Sequence, residues 1–185
     1  MQARTIEIAD PGELTSYLPA QDAVAWLRRG EGMIGFGEVA RFSGGTFAEA
    51  DAWWSGLCAD LEHDSELLDL SGTGPLAFGS FPFAAEHSRS EGLLLVPRLI
   101  LGRRRGRSWL TLVSESDATP QLPPRQDPPT APTGLRRDAG GLDEAEWRGI
   151  VRAAVARIGA GELSKVVLAR AEVHTAEQPL DPRWL

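Results

Sequence analysis

The sequence predicts an α+β fold, a largely antiparallel sheet with helices on its outer faces. Two stretches that open on a capping box carry apolar residues at helical spacing. The runs Leu93 to Leu101 and Ser108 to Ser114 read as a hairpin pair. Further short apolar runs, punctuated by glycine and proline, supply the remaining strands.

Taken in order, residues 1–19 are weakly patterned, with Pro11, Gly12 and Pro19 as breakers. Asp22 to Arg29 predicts a short helix, with Gly30 as the residue that closes it. Met33 to Phe42 predicts a strand. Gly35 and Gly37 flank Phe36 and predict a bulge or the close approach of another backbone. Thr46-Phe47-Ala48-Glu49 is a capping box, and Ala50, Trp53, Trp54, Leu57 and Leu61 follow at helical spacing. The two tryptophans are read as packing residues.

Asp69 to Pro75 is a loop containing Ser71-Gly72-Thr73-Gly74. Without a P-loop lysine or a dinucleotide fingerprint it reads as a turn rather than a phosphate cradle. Leu76 to Phe83 predicts a strand with a glycine inside it. The hairpin connection Gly102-Arg103-Arg104-Arg105-Gly106-Arg107 has the chemistry to grip an anion, but reads as a solvated tip. Pro120, Pro123, Pro124, Pro128, Pro129 and Pro132 then crowd one window, which predicts an extended linker over 115–141. It separates a strand-rich region, 1–114, from a region at 142–185.

Asp143-Glu144-Ala145-Glu146 reopens order as a second capping box. Trp147, Ile150, Val151, Ala154, Val155 and Ile158 mark one helix face, and Gly159 and Gly161 stop the helix. Lys165 to Ala171 predicts a strand with Lys165, Val167 and Ala169 on one face. His174 to Pro182 reads as a loop.

Composition excludes several classes. A hydrophobic content of 42% with six tryptophans in 185 residues is that of a chain with a core. A net charge of -7 gives no footprint for nucleic acid or an anionic membrane. A single cysteine, Cys58, forms no internal disulfide and reads as a small packing residue. No apolar run reaches membrane-spanning length, and no signal peptide is read, so a cytoplasmic location is expected. His63, His87 and His174 lie far apart with no metal-ligand spacing.

Lys165 is the residue with the most chemistry to offer. A lysine amine has an ordinary pKa of about 10.4 and is a poor base at neutral pH. On the buried face of an apolar strand the ammonium form would be disfavoured, and a neutral amine can deprotonate water. Spacing alone leaves a snorkelling or edge-guarding lysine as the simpler reading.

The wording of the segment adds to this. Gly161-Glu162-Leu163-Ser164-Lys165-Val166-Val167-Leu168-Ala169-Arg170 closely resembles the opening of the chorismate-binding half of the chorismate-utilising enzymes. A lysine at this position is similar to isochorismate and salicylate synthases, whereas the family members that add ammonia carry glutamine. The resemblance implies that Lys165 is the general base that activates water. Gly35-Phe36-Gly37-Glu38-Val39-Ala40-Arg41, Phe78-Gly79-Ser80-Phe81-Pro82-Phe83 and Val96-Pro97-Arg98 resemble isochorismate synthases in particular.

The resemblance also carries expectations for fold and activity. The chain supplies about half of a two-sheet, helix-covered fold like that of anthranilate synthase component I, because family members are about twice this length. The activity is conversion of chorismate to isochorismate by an isomerase, feeding menaquinone or a catechol siderophore. The cofactor is Mg²⁺, with its glutamate ligands and the general acid lying outside these residues, so the 185 residues alone are expected to be inactive. The full-length enzyme is expected to be a monomer. Salicylate synthase and a non-catalytic truncated remnant are the alternatives. Asp143 and Glu146 are read as helix-start residues rather than ligands.

Overall fold

The computed structural model describes residues 1–84, 88, 90–138 and 141–184. It is α+β, with mostly antiparallel sheets and two α-helices among the described residues. The chain divides into two compact units, Met1–Pro128 and Pro129–Leu185.

The first unit is built on a six-stranded sheet. Its strands are β1 (Gln2–Ile8), β2 (Ala23–Arg28), β3 (Glu31–Phe36), β5 (Glu62–Ser65), β8 (Leu99–Arg104) and β9 (Arg107–Ser114). Their order is β2-β3-β8-β9-β1-β5, and only β1 and β5 run parallel. A second sheet has three antiparallel strands in the order β4 (Ala40–Ser43), β7 (Leu93–Val96), β6 (Phe78–Ser80).

Register explains the core. Ile34, Leu101, Leu110 and Ile6 stand in one cross-strand row. They meet Leu14 and Tyr17 from the 3-10 turn Leu14–Tyr17, and all but Ile6 are fully buried. On the opposite face Trp26, Met33, Gly102 and Trp109 form the neighbouring row. There Trp109 packs with Leu67, Leu70 and Met33. Its indole lies across Gly102, where a Cβ would stand 2.3 Å from the ring. Glycine at 102 thus makes room for the largest core side chain.

Three sequence expectations are overturned in this unit. Asp22 to Arg29 is not a helix but contains β2, paired with β3 through Arg29-Gly30. Both turn residues have positive φ, 55° and 78°, which is the type I′ geometry that suits the twist of a two-residue hairpin. A glycine after an apolar run closes a helix or turns a hairpin, and here the adjacent strand decides. The predicted strand Met33 to Phe42 is two strands, β3 and β4, in different sheets. Residues 1–19 hold β1, whose buried positions are the small or polar Ala3 and Thr5, so no apolar alternation announces it.

The expected close approach at Gly35 is present. It comes from a side chain and not from the expected backbone: a Cβ there would meet the Pro97 ring at 2.3 Å, and Gly37 turns with φ of 60°. At this corner β3 leaves the large sheet for β4, while β7 returns through Pro97 and Arg98 to β8. Arg98 N donates to Phe36 O at 3.1 Å, and Val39 N donates to Val96 O at 2.9 Å. The run Leu93 to Leu101 is accordingly two strands, of which β8 makes the expected hairpin with β9 through Arg105-Gly106. Both turn residues again have positive φ. Leu76 to Phe83 contributes only β6.

Helix α1 (Phe47–Ala59) begins as expected. Thr46 Oγ1 accepts from Glu49 N at 3.3 Å, and Glu49 Oε2 accepts from Thr46 N at 2.7 Å. Donation by Thr46 N, and then by the Thr46 hydroxyl, holds the Glu49 carboxyl below its usual range. Trp53 packs on Phe42 of β4 with ring centroids 5.8 Å apart. The extended chain beyond β9 is tied back by Gln126 N to Ser16 O at 2.7 Å and by Arg125 to Pro11 O at 2.7 Å.

The second unit contains α2 (Glu144–Gly159) and an antiparallel pair, β10 (Arg136–Asp138) with β11 (Val173–Thr175). None of its described residues is buried. Strand β10 forms inside the proline-rich stretch, and β11 forms where a loop was expected. The expected strand Lys165 to Ala171 is absent. Its β-branched residues favour extension, but a strand also needs a neighbour to accept its hydrogen bonds, and β10 pairs with 173–175 instead.

Candidate active site

The second unit carries the segment with Lys165, and α2 positions its start. Asp143 Oδ1 accepts from Glu146 N at 2.8 Å, and Glu146 Oε2 accepts from Asp143 N at 2.9 Å. Both residues are thus helix-start residues. At the other end Gly161 has φ of 75°, and its N–H donates to Ile158 O at 3.0 Å. Glu162 N donates to Arg157 O at 3.0 Å. These two bonds form a Schellman closure, in which the residue past the cap turns left-handed, as glycine does at little cost. An ion pair, Arg157 Nε to Glu162 Oε2 at 2.8 Å, fastens the same turn.

Lys165 follows shortly after. It is exposed and has no hydrogen bond or ion pair among the described residues. The expected placement on a buried strand face is therefore not found.

A groove of about 1200 Å³ opens beside α2. Arg148 and Arg152, one helical turn apart, line it with Trp147. Arg137 from β10 and Arg170 join them. Glu144 holds Arg148 at 2.5 Å, and Glu172 receives both Arg170 and Arg137, the latter at 2.7 Å. Arg152 has no partner among the described residues. Four guanidiniums thus line the groove with the Trp147 indole, and Glu144 and Glu172 neutralise part of their charge. Lys165 is not in this wall. Of these residues only Arg170 lies in the segment that the sequence singles out. The sequence reading missed the others; the four-residue spacing of Arg148 and Arg152 could have found those two, and no local signal marks Arg137.

Other candidate groups are accounted for locally. His63 Nε2 lies 3.3 Å from Thr5 Oγ1, and His174 Nε2 lies 3.4 Å from Glu172 Oε2. His87 lies outside the described residues. Burial pushes the Cys58 thiol up, which disfavours the reactive thiolate. Thr73 Oγ1 donates to Leu67 O and Leu70 O at 2.9 and 2.7 Å, so the glycine-flanked loop at 71–74 is a turn. Among the described residues no three His, Cys, Asp or Glu side chains converge as a metal site. No described helix is long and apolar enough to cross a membrane.

The sequence model of one protein family, described as chorismate binding enzyme, matches residues 13–184. No curated protein and no solved structure matches the chain.

Proposed function

The chain belongs to the chorismate binding enzyme family, and from that premise we propose that it is an isochorismate synthase acting on chorismate. The reading is carried by the lysine at 165, in a segment where the family members that add ammonia hold glutamine. Water needs a base to become a nucleophile and ammonia does not. In the proposed step Lys165 Nζ takes a proton from water as its oxygen bonds C2 of chorismate. Both ring double bonds shift in concert, C1=C2 to C1=C6 and C5=C6 to C4=C5, and the C4 hydroxyl departs, protonated by a general acid, so that water enters and leaves.

Two features support this reading. The groove places Arg152, unpaired among the described residues, beside the Trp147 indole, where a substrate carboxylate could be met. The three upstream motifs that resemble isochorismate synthases meet in one place, the corner and three-stranded sheet around β4, β6 and β7. They therefore support the likeness as shared architecture, not as shared chemistry.

Mg²⁺ belongs to the proposal, but the described residues do not form a site for it, and no step is assigned to it. A cytoplasmic, monomeric enzyme supplying menaquinone or a catechol siderophore completes the reading. The test is product analysis with chorismate and Mg²⁺, using the product of the complete reading frame that encodes these residues. Isochorismate is expected. Salicylate with pyruvate would reassign the enzyme, and no turnover would favour a non-catalytic member.

A further inference from the structure

A second groove lies in the first unit, where the basic hairpin connection meets the β2–β3 hairpin. It encloses about 330 Å³, the small end of the range for ligand sites and room for one ring. Its walls come from adjacent strands. Trp26 and Met33 stand opposite each other in register, and Trp109 lies two strands beyond Met33, across Gly102. Two residues along the same face, Arg28 and Glu31 form the next pair, and Arg104 stands two residues beyond Gly102 on β8. A flat apolar platform therefore sits about 7 Å from a row of charge.

Two observations point to an absent ligand. Trp109 is 1% exposed, yet its indole Nε1 has no hydrogen-bond acceptor among the described residues. A buried donor left unpaired loses its hydration with nothing in exchange. Trp26, by contrast, is 71% exposed although it lines the same groove. The charges are also unbalanced. Arg103 is held by Asp10 at 2.9 Å and by two carbonyls. Arg104 reaches only Ser71 O at 3.1 Å, and Arg28 has no partner among the described residues. Glu31 accepts from Arg105 N at 2.8 Å and offsets one of these two charges.

We infer that this groove binds a small aromatic carboxylate. The ring stacks on Trp26 against Met33, the carboxylate faces Arg104 and Arg28, and an acceptor on the ligand meets Trp109 Nε1. A nucleotide exceeds the space, and a bare inorganic anion leaves Trp26 unused.

The experiment titrates the protein with benzoate and 4-hydroxybenzoate, following the indole N–H resonance of Trp109 so that binding elsewhere does not count. Trp109→Phe identifies that signal. Saturable shifts are expected, weakened at least tenfold by Arg104→Gln and at least fivefold by Trp26→Ala. Trp26 is exposed, so its replacement tests the site without threatening the fold. Arg105→Gln, at the adjacent turn, should change affinity less than twofold. Cyclohexanecarboxylate and inorganic phosphate should bind at least fivefold more weakly than benzoate. Absence of a saturable shift overturns the proposal. So does equal binding of phosphate, or an affinity that ignores Trp26→Ala.

Discussion

The two units open their helices in the same way and bury them very differently. Thr46 with Glu49 and Asp143 with Glu146 are equivalent reciprocal caps, each closing two orphan N–H groups of a first turn. The first unit then surrounds its sheet with buried Leu14, Tyr17, Ile34, Leu101, Trp109 and Leu110. The second leaves the apolar face of α2 open, with Ile150 and Ile158 each 38% exposed and Val155 61% exposed. Local rules thus fix helix ends in both units, whereas long-range packing stabilises only the first.

The largest expected effect separates the units by core deletion. Leu101→Ala should cost about 2–5 kcal/mol in urea denaturation, since Leu101 and its neighbours Ile34 and Leu110 are fully buried. Val155→Ala should cost under about 1 kcal/mol. Equal losses would mean that α2 is packed as tightly as the sheet.

Glycine substitutions give a smaller contrast of opposite sign. Gly102→Ala forces a Cβ into the Trp109 indole and should destabilise by about 1–3 kcal/mol. Gly149→Ala, inside α2 with nothing within 4 Å, should stabilise by about 0.5–1 kcal/mol. Thermal melts of both variants decide the matter.

The caps should cost the same in both units. Thr46→Ala and Asp143→Ala are each expected to lose about 1 kcal/mol of helix stability, measured by hydrogen exchange in the first turn. A negligible loss at Asp143 would show that its box forms only transiently.

The smallest effect is acid sensitivity of the first unit. Hydrogen bonds from Arg107 hold the Glu7 carboxyl below its ordinary 4.5. The Gly12 N–H and then Arg103 hold Asp10 below 3.8. Because the folded values are lowered, this stabilisation is present above the ordinary values and is lost as pH falls through the lowered ones. Both carboxylates are exposed, so the change should be slight and weakened by salt. A melting temperature that rises on acidification below about pH 4 would contradict it.

Features set by neighbouring residues were legible in the sequence. Both capping boxes, the Gly161 stop and the pairing of the two runs that hold β8 and β9 follow from a few residues each. Features set by distant partners were not. β1 hides because Ala3 and Thr5 face inward. β2 passes for a helix because its pairing with β3 is invisible in one short run. The segment from Lys165 has every local mark of a strand and no neighbour to pair with. The candidate site divides along the same line. Lys165 was found by wording, whereas the arginine groove needed Arg137 and Arg148, separated in sequence, to be brought together.

The central claim is that Lys165 activates water. The direct measurement is chorismate turnover by the complete reading-frame product carrying Lys165→Ala, with circular dichroism as the check on folding. Loss of isochorismate formation by at least about 100-fold, the scale of a removed general base, with the fold retained, is the predicted result. Near-normal turnover by the folded variant would contradict the account.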